Sequence, residues 1–178
     1  MELIKYITSG VLFICISSAN AAPLTLKQQA NNDFQNSKYK QANIKFRRSL
    51  KLTPEDVDLY VGIAKCEEIL AHYTEAFKYA RKAKKVDPTN IYPYLILGRL
   101  YGQQGKWIDA RIAYQTARVI DPQNSMAMIG LGQAIQLIGD NEGANDQFKE
   151  YSNHPKNSKI NRKKINSKKK KSFSKGTR

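Results

Sequence analysis

Proline recurs in this chain at an interval of 34 residues, and two other residue classes keep the same interval. Repetition at a fixed interval of about 20 to 50 residues indicates a repeat architecture, in which similar units stack and share one continuous core. The interval therefore predicts an array of small units rather than a globular helical bundle, the alternative in which apolar spacing recurs by chance. The recurring residues are Pro54, Pro88 and Pro122, then Ala42, Ala76, Ala110 and Ala144, then Tyr39, Tyr73 and Trp107.

The recurring positions have the physical roles expected in a helix-turn-helix unit. Proline cannot continue a helix, so each proline predicts the end of the second helix of a unit. Asp56, Asn90 and Asn124 stand two residues after each proline, where their side-chain oxygens can cap the next helix. Gly105 and Gly139 suit the left-handed residue that closes the first helix. Helical spacing in the third unit predicts a core face made of Trp107, Ala110, Tyr114, Ala117 and Ile120.

Residues 91–124 carry the residues of a known repeat at their usual offsets. They are Tyr94, Leu97, Gly98, Tyr101, Ala110, Tyr114, Ala117 and Pro122. On these residues the chain resembles the tetratricopeptide-repeat family over about three and a half to four units, at 23–56, 57–90, 91–124 and 125–154. The resemblance implies an all-α fold, a right-handed α-solenoid of helix-turn-helix repeats. The first two units depart from the pattern, with Asp33 and Glu67 where an aromatic residue is expected.

The resemblance also implies where a partner would bind. Members of the family bind partners on the concave face, which is built by the first helix of each unit. Val61, Leu95 and Ile129 either form an apolar floor there or pack between neighbouring units, and the sequence leaves both readings open. The full set of residues expected in this partner groove is Lys27, Asn31, Phe34, Val61, Lys65, Tyr92, Leu95, Arg99, Ile129 and Gln133.

Two cations, Lys65 and Arg99, stand at the same offset of successive units, between Asn31 and Gln133 of the first and last units. Beside an apolar floor, they predict a groove for an extended or helical peptide that carries aliphatic anchors and a carboxylate. Co-chaperones of the family hold a C-terminal carboxylate with a clamp of Lys, Asn, Asn, Lys and Arg. Lys27 and Asn31 match the first two clamp positions, but the other three hold Gly62, Tyr92 and Ile96. The resemblance therefore does not imply a chaperone clamp.

The N-terminus has the three parts of a secretory signal, predicted over residues 1–21. Lys5 precedes a mostly apolar stretch from Ile7 to Ile16, and small residues follow at Ala19 and Ala21. The apolar stretch is shorter than the roughly 20 residues that a membrane-spanning helix needs, so no transmembrane segment is expected. Export to the periplasm or beyond the cell is predicted, and family analogy favours a role in assembling an envelope, pilus or secretion complex.

The C-terminal segment 155–178 is predicted to be a disordered basic tail. From Lys156 to the end it holds eleven basic residues and no acidic one, which leaves +4 of the net charge of +15 for the rest of the chain. Such a tail either binds polyanions, such as an anionic membrane surface or polysaccharide, or only aids solubility. Nucleic acid is less expected for an exported chain, and a nuclear address is a third reading. The residues concerned are Arg162, Lys163, Lys164, Lys168, Lys169, Lys170 and Lys171.

Catalysis is not predicted. The histidines His72 and His154 do not pair with Cys66 in a catalytic spacing, and Cys66 itself reads as a small buried apolar residue. There is no metal-ligand spacing, phosphate-binding loop or serine elbow in the sequence, so no cofactor is expected. The adjacent Glu67 and Glu68 are predicted to be solvated rather than paired. The sequence therefore favours a non-enzymatic scaffold that binds proteins.

Overall fold

Four helix pairs make up the part of the chain that the structure describes. The structure is a computed structural model, and it describes residues 25–153. The first helices of the pairs, termed the inner helices, are α1 (Leu26–Gln35), α3 (Val57–Ile69), α5 (Ile91–Gln103) and α7 (Ser125–Ile138). The second helices, termed the outer helices, are α2 (Tyr39–Leu52), α4 (Tyr73–Val86), α6 (Trp107–Ile120) and α8 (Asn141–Asn153).

Each helix packs against its neighbours in sequence, so the pairs stack into one array. The backbone of each inner helix also approaches that of the next inner helix, whereas no two outer helices do so between residues 25 and 153. The inner helices therefore form a close-set layer along one side of the array. The outer helices form the opposite layer and expose more of their length to solvent.

Side-chain caps begin the later inner helices at the residues that the sequence predicts. The oxygens of Asp56, Asn90 and Asn124 accept hydrogen bonds from the backbone amides two residues on, at 3.0 to 3.1 Å. The first inner helix uses a different device, a capping box in which Thr25 and Gln28 each accept a bond from the other's backbone amide. Each cap satisfies amides that the helix itself leaves without partners.

The turn inside each pair needs one residue in the left-handed conformation. Gly105 and Gly139 supply it with φ of 70° and 102°, as predicted. At the equivalent positions of the first two pairs stand Ser37 and Ala71, with φ of 60° and 61°. A side chain in this conformation costs about 1–2 kcal/mol, because Cβ approaches the following carbonyl oxygen. The first two turns are therefore strained, whereas the last two are not.

Small buried residues let the helices of each pair approach closely. The recurring alanines Ala42, Ala76, Ala110 and Ala144 are all at most 1% exposed, so they belong to the core. Cys66 is fully buried, and burial raises the pKa of its thiol to about 12. The thiol therefore stays neutral at physiological pH and acts as a small apolar core residue, as predicted.

Aromatic rings of two outer helices press against glycines of the next inner helix. Phe46 lies on Gly62 and Tyr114 lies on Gly130, so that a Cβ added to the glycine would come within 2.8 Å and 2.5 Å of the ring respectively. Those distances are shorter than any normal carbon contact. Glycine is therefore required for the rings to occupy these two junctions between pairs.

The junction between the second and third pairs reverses this arrangement. The positions equivalent to Tyr114 and Gly130 hold Ala80 and Ile96, both buried in the same core cluster. Here the outer helix supplies the small residue and the inner helix the large one. Since protein interiors are filled to a nearly constant density, the two arrangements are alternative ways to fill the same space.

Glu67, predicted to be solvated, is instead buried, and that prediction is wrong. Its carboxylate accepts hydrogen bonds from Asn43 Nδ2 at 2.7 Å and Arg47 Nη2 at 2.6 Å, and His72 Nδ1 lies 2.7 Å away. Arg47 in turn donates to the hydroxyl of Tyr79 at 2.6 Å. Burial alone would raise the pKa of Glu67, but these hydrogen bonds lower it below its ordinary value. A buried charge is tolerated because it is fully partnered.

The same position in the first pair also holds a partnered carboxylate. Asp33 Oδ2 lies 2.7 Å from Lys45 Nζ, and Lys45, like Arg47, belongs to the outer helix α2. Cations from α2 thus compensate both carboxylates, Asp33 and Glu67, that stand where the repeat pattern expects an aromatic ring. In the third pair the aromatic is present as Tyr101, which packs against Phe77.

Candidate functional site: a groove along the inner helices

Three cavities lie end to end along the inner helices. They measure about 220, 480 and 470 Å³ from the first pair to the last. The first and second share Phe34, Lys65 and Tyr92 as lining residues, and the second and third share Arg99 and Gln103. Because neighbouring cavities have walls in common, they form one continuous channel along the array, termed here the inner groove.

Nine of the ten residues predicted for the partner groove line the inner groove. Two of the three apolar candidates, Val61 and Leu95, are 5% and 1% exposed, so they form its floor while packing between helices. The third, Ile129, is half-buried and does not line any of the three cavities. The nine lining residues are Lys27, Asn31, Phe34, Val61, Lys65, Tyr92, Leu95, Arg99 and Gln133.

Lys27, at the end of the groove formed by the first pair, already has acidic partners. Its ammonium lies 2.7 Å from Asp56 Oδ2 and 2.9 Å from Asp58 Oδ2. Burial lowers the pKa of Lys27, but the hydrogen bonds to both carboxylates raise it above its ordinary value overall. Lys27 therefore offers no free positive charge to a ligand, and the exposed side chain of Asn31 lines the same cavity.

Arg99, in the middle of the groove, is also paired. Its guanidinium forms a two-pronged pair with Glu68, with Nε to Oε1 and Nη2 to Oε2 both at 2.7 Å. The prediction that Glu68 is solvated rather than paired is therefore wrong. These bonds raise the pKa of Arg99 above its ordinary value despite its burial. Planar pairing of this kind is the strongest geometry open to arginine and a carboxylate.

Lys65 differs from the other two cations of the groove. In the described range, no carboxylate lies within ion-pair distance of its ammonium, which sits 4.2 Å from the centre of the Tyr92 ring. Burial, and then the nearby charge of Arg99, lower the pKa of Lys65 below its ordinary value. The carboxylates of Asp58 and Glu68 act on Lys65 only at longer range, so this desolvated ammonium lacks the directly paired anion that normally offsets such burial.

The part of the groove nearest the last pair contains two aromatic residues that sequence reasoning assigned to the core. Trp107 and Tyr114 are half-buried and line the third cavity, although both belong to the outer helix α6. They reach the groove because Gly98, Gly102 and Gly130 of the inner helices leave gaps above their rings. Glycines inside inner helices are the sequence signal that would have located these rings.

The middle cavity also offers apolar contact surface. Tyr92 and Met126 are 44% and 52% exposed and line it together with half-buried Phe34. Methionine and aromatic side chains are adaptable anchors for a bound segment. The groove therefore combines an apolar wall, two satisfied cations and one unsatisfied cation.

The described residues offer few groups for chemistry. The thiol of Cys66 is buried, and the ring of His72 is bonded to Glu67. Among residues 25–153, no group of three or more His, Cys, Asp or Glu side chains is placed to hold a metal ion. The predicted signal segment 1–21 and the basic tail 155–178 lie outside the described residues.

A bilayer-crossing helix would need a length and an apolar character that none of the helices between residues 25 and 153 possesses.

Known proteins similar to this chain include one that is named for the tetratricopeptide repeat. No established family profile matches the sequence. It is 27% identical over 112 residues to Hsp70-Hsp90 organizing protein 2 of Arabidopsis thaliana, and 31% identical over 100 residues to small glutamine-rich tetratricopeptide repeat-containing protein 2 of Saccharomyces cerevisiae. Those matches cover 63% and 56% of this chain, but only 20% and 29% of the relatives' own lengths.

Solved structures support the same fold. The crystal structure of MamA superposes with a TM-score of 0.67 at 18% identity, over 74% of this chain and 72% of that one. The first TPR domain of Spaghetti (RPAP3), bound to the HSP90 peptide SRMEEVD, superposes with a TM-score of 0.62 at 20% identity, over 64% of this chain and 90% of that one. With its four stacked helix pairs and 34-residue period, the described part of the chain has the tetratricopeptide-repeat fold, a right-handed α-solenoid.

Proposed function

We propose that this chain is a non-enzymatic scaffold that binds a partner protein in the inner groove. The bound segment is extended or helical, with aliphatic anchors and one acidic side chain. The anchors contact Phe34, Tyr92 and Met126, and the acidic side chain pairs with Lys65. The observation that carries the proposal is the desolvated ammonium of Lys65, which has no carboxylate partner among the described residues.

The electrostatics of the groove favour a single acidic contact. Lys27 and Arg99 already have carboxylate partners, so a second acidic group on the ligand would compete with Asp56, Asp58 or Glu68. Lys65 lies against the ring of Tyr92 and has no carboxylate at ion-pair distance among the described residues, so a carboxylate placed there gains a charge-assisted hydrogen bond without displacing an existing one. The proposed ligand therefore differs from a doubly acidic terminus.

Similarity to proteins named for chaperone organisation, and to a domain bound to an HSP90 peptide, supports peptide binding in general. It does not extend the proposal to that peptide. At the five positions of the family's carboxylate clamp, this chain keeps Lys27 and Asn31 but has Gly62, Tyr92 and Ile96 at the rest.

We further propose that the scaffold works outside the cytoplasm, in the assembly of an envelope, pilus or secretion complex. Support for this part comes from the N-terminal sequence and from family analogy alone. The rival function is polyanion binding driven by the basic tail. Removal of the tail distinguishes the two functions. A chain ending at His154 should still bind its partner if the scaffold proposal holds, and should lose binding if the tail drives it.

Selection from a random peptide library displayed on phage tests the groove. We expect the full chain to select peptides with Asp or Glu at a constant spacing from Leu, Ile or Met. The Lys65→Met variant should lose the acidic preference and bind a selected peptide about 10- to 100-fold more weakly, the range expected for one charge-assisted hydrogen bond. Lys84→Met, an exposed position on α4, removes the same charge and is the matched control.

Equal peptide affinities for the Lys65→Met and Lys84→Met variants would refute the groove assignment. Reversing Arg99 to glutamate is a poorer test, because it places a second carboxylate against Glu68 and disturbs the fold. A chain ending at His154 belongs in the same experiment. Loss of peptide binding in that chain would favour the tail-driven rival.

A further inference from the structure

The outer helices carry a second ordered surface, on the side of the array away from the inner groove. Four positions in each outer helix are spaced by four, four and three residues, so they lie on one helix face. The same four positions recur in α2, α4 and α6 at the interval of 34 residues. All twelve residues are exposed except Thr116, which is half-buried. This outer stripe consists of Lys40, Ile44, Arg48 and Lys51, then Thr74, Lys78, Lys82 and Lys85, then Ile108, Ile112, Thr116 and Val119.

The outer stripe mixes cations with aliphatic side chains and has no acidic residue. Six of its twelve members are Lys or Arg and four are Ile or Val. Lys78 is paired with Glu75 at 3.0 Å, whereas the other five cations have no carboxylate partner among residues 25–153. The net charge of +4 outside the tail therefore conceals a strongly basic surface on one side of the fold.

The aliphatic members of the stripe are unusually open to solvent. Ile44, Ile108, Ile112 and Val119 are 54 to 78% exposed, and Leu52 at the end of α2 is 73% exposed. Single exposed aliphatics need no explanation, but three of them on one face of α6 indicate a contact surface. Ile44 lies among the cations of α2, so the stripe has a basic part on α2 and α4 and an aliphatic part on α6.

The pattern ends abruptly at the last outer helix. The four equivalent positions of α8 hold Glu142, Asp146, Glu150 and Asn153, all exposed. Basic outer faces are therefore not a general property of this array: the cations of the stripe lie on α2 and α4, and its last three aliphatic residues lie on α6. The acidic face of α8 would be repelled by the same anionic surface that attracts the stripe.

We propose that the outer stripe docks the chain on an anionic phospholipid surface. Its cations approach the headgroup phosphates, and its aliphatic side chains enter the boundary between headgroups and acyl chains. A nucleic acid would satisfy the cations but would leave four aliphatic side chains against a charged backbone without gain. The inner groove lies on the opposite layer. The chain can therefore bind a partner segment and a bilayer at the same time, through different surfaces.

Vesicle flotation with the full chain tests the docking surface. A variant with Arg48→Gln, Lys51→Gln, Lys82→Gln and Lys85→Gln removes four stripe cations. The control with Lys168→Gln, Lys169→Gln, Lys170→Gln and Lys171→Gln removes four cations from the tail. Each stripe cation is expected to change the partition coefficient about fivefold at low salt, so the four together lower it on the order of a hundredfold or more. Vesicles of phosphatidylcholine with one-third phosphatidylglycerol are compared with phosphatidylcholine alone.

A second variant separates lipid from other anionic ligands. Ile44→Ser with Ile112→Ser leaves the net charge unchanged, and we expect it to weaken binding to the anionic vesicles at least about threefold, because apolar insertion is lost. Unchanged vesicle binding in this variant would overturn the proposal in favour of a purely charge-driven ligand. A stripe variant that binds anionic vesicles no more weakly than the tail control would overturn it outright.

Sedimentation velocity of the wild-type chain and the stripe variant tests whether the outer stripe instead binds a second copy of the chain. If removing the four stripe cations abolishes self-association at low salt but leaves vesicle binding intact, the stripe pairs with the acidic face of α8 in another copy. That result would also overturn the lipid proposal. A monomer in both cases, with vesicle binding lost in the stripe variant, is the result we expect.

Discussion

The junction between the third and fourth pairs, termed the third junction, should be convertible by three substitutions into the arrangement found between the second and third pairs, termed the second junction. At the third junction Gly98, Tyr114 and Gly130 occupy the positions that hold Ala64, Ala80 and Ile96 at the second. A Cβ on Gly98 or Gly130 would come within 2.7 Å or 2.5 Å of the Tyr114 ring. The variant Gly98→Ala, Tyr114→Ala, Gly130→Ile therefore exchanges one filled arrangement for another.

The single changes should all destabilise the fold. Tyr114→Ala leaves a cavity, and because Tyr114 is only half-buried its cost should lie below the roughly 3–5 kcal/mol typical of losing a fully buried large aromatic. Gly130→Ala forces the ring to move by almost an ångström, and overpacking of this kind costs about 1–3 kcal/mol. The better helix propensity of alanine returns about 1 kcal/mol of that loss. We therefore expect a net loss of up to about 2 kcal/mol for Gly130→Ala.

Urea unfolding of the full chain, followed by far-ultraviolet circular dichroism, measures these free energies. We expect the triple variant to lose at least about 2 kcal/mol less than the sum of the single substitutions, because the residues share one space. Additivity within about 0.5 kcal/mol would refute the idea that the two junctions are equivalent solutions. Gly62→Ala, which faces the ring of Phe46 at the first junction, is an independent repeat of the overpacking test.

Three further outcomes follow from the described contacts. Ala71→Gly should raise the unfolding free energy by about 0.5–1 kcal/mol, because relief of the left-handed strain exceeds the added chain entropy, and a lower melting temperature would contradict this. Folding lowers the pKa of Glu67. The ionised carboxylate therefore stabilises the folded state at pH values above the unfolded pKa, near 4.3. This stabilisation is lost as the pH falls through the lower pKa of the folded state. Acid titration of Glu67→Gln should accordingly show a flatter loss of stability than the wild type, and identical curves would contradict it. The HSP90 peptide SRMEEVD should give no saturable change in fluorescence anisotropy, because Gly62, Tyr92 and Ile96 replace three of the five clamp residues. Binding at micromolar concentration would show that the chain holds a terminal carboxylate without those residues.

Features set within one repeat were predictable from the sequence. The caps at Asp56, Asn90 and Asn124 and the left-handed Gly105 and Gly139 depend on residues only a few positions apart. Periodicity places each of them at the same point of its unit, and local backbone chemistry then determines its role. The 34-residue interval thus carries most of the information about helix number and helix bounds.

Contacts between repeats were not predictable in the same way. Glu67 and Glu68 are paired with Arg47 and Arg99, which lie 20 and 31 residues away in neighbouring units. The repeat offset does not say which way such side chains turn, and adjacent acidic residues on a helix are usually solvated. The free state of Lys65 depends on the same pairing, because Glu68 could have bonded either cation. Only the three-dimensional arrangement separates a satisfied cation from an unsatisfied one.

The alternation of large and small residues at the junctions also bears on how the array folds. Repeated units are similar enough to pair with the wrong neighbour, one unit out of step. If α2 met α5 instead of α3, the ring of Phe46 would face Ile96 rather than Gly62, and two bulky side chains would compete for one space. If α4 met α7 instead of α5, Ala80 would face Gly130 and leave a void. Pairings that are one unit out of step are therefore penalised, and the side chains between the repeats favour the correct neighbour.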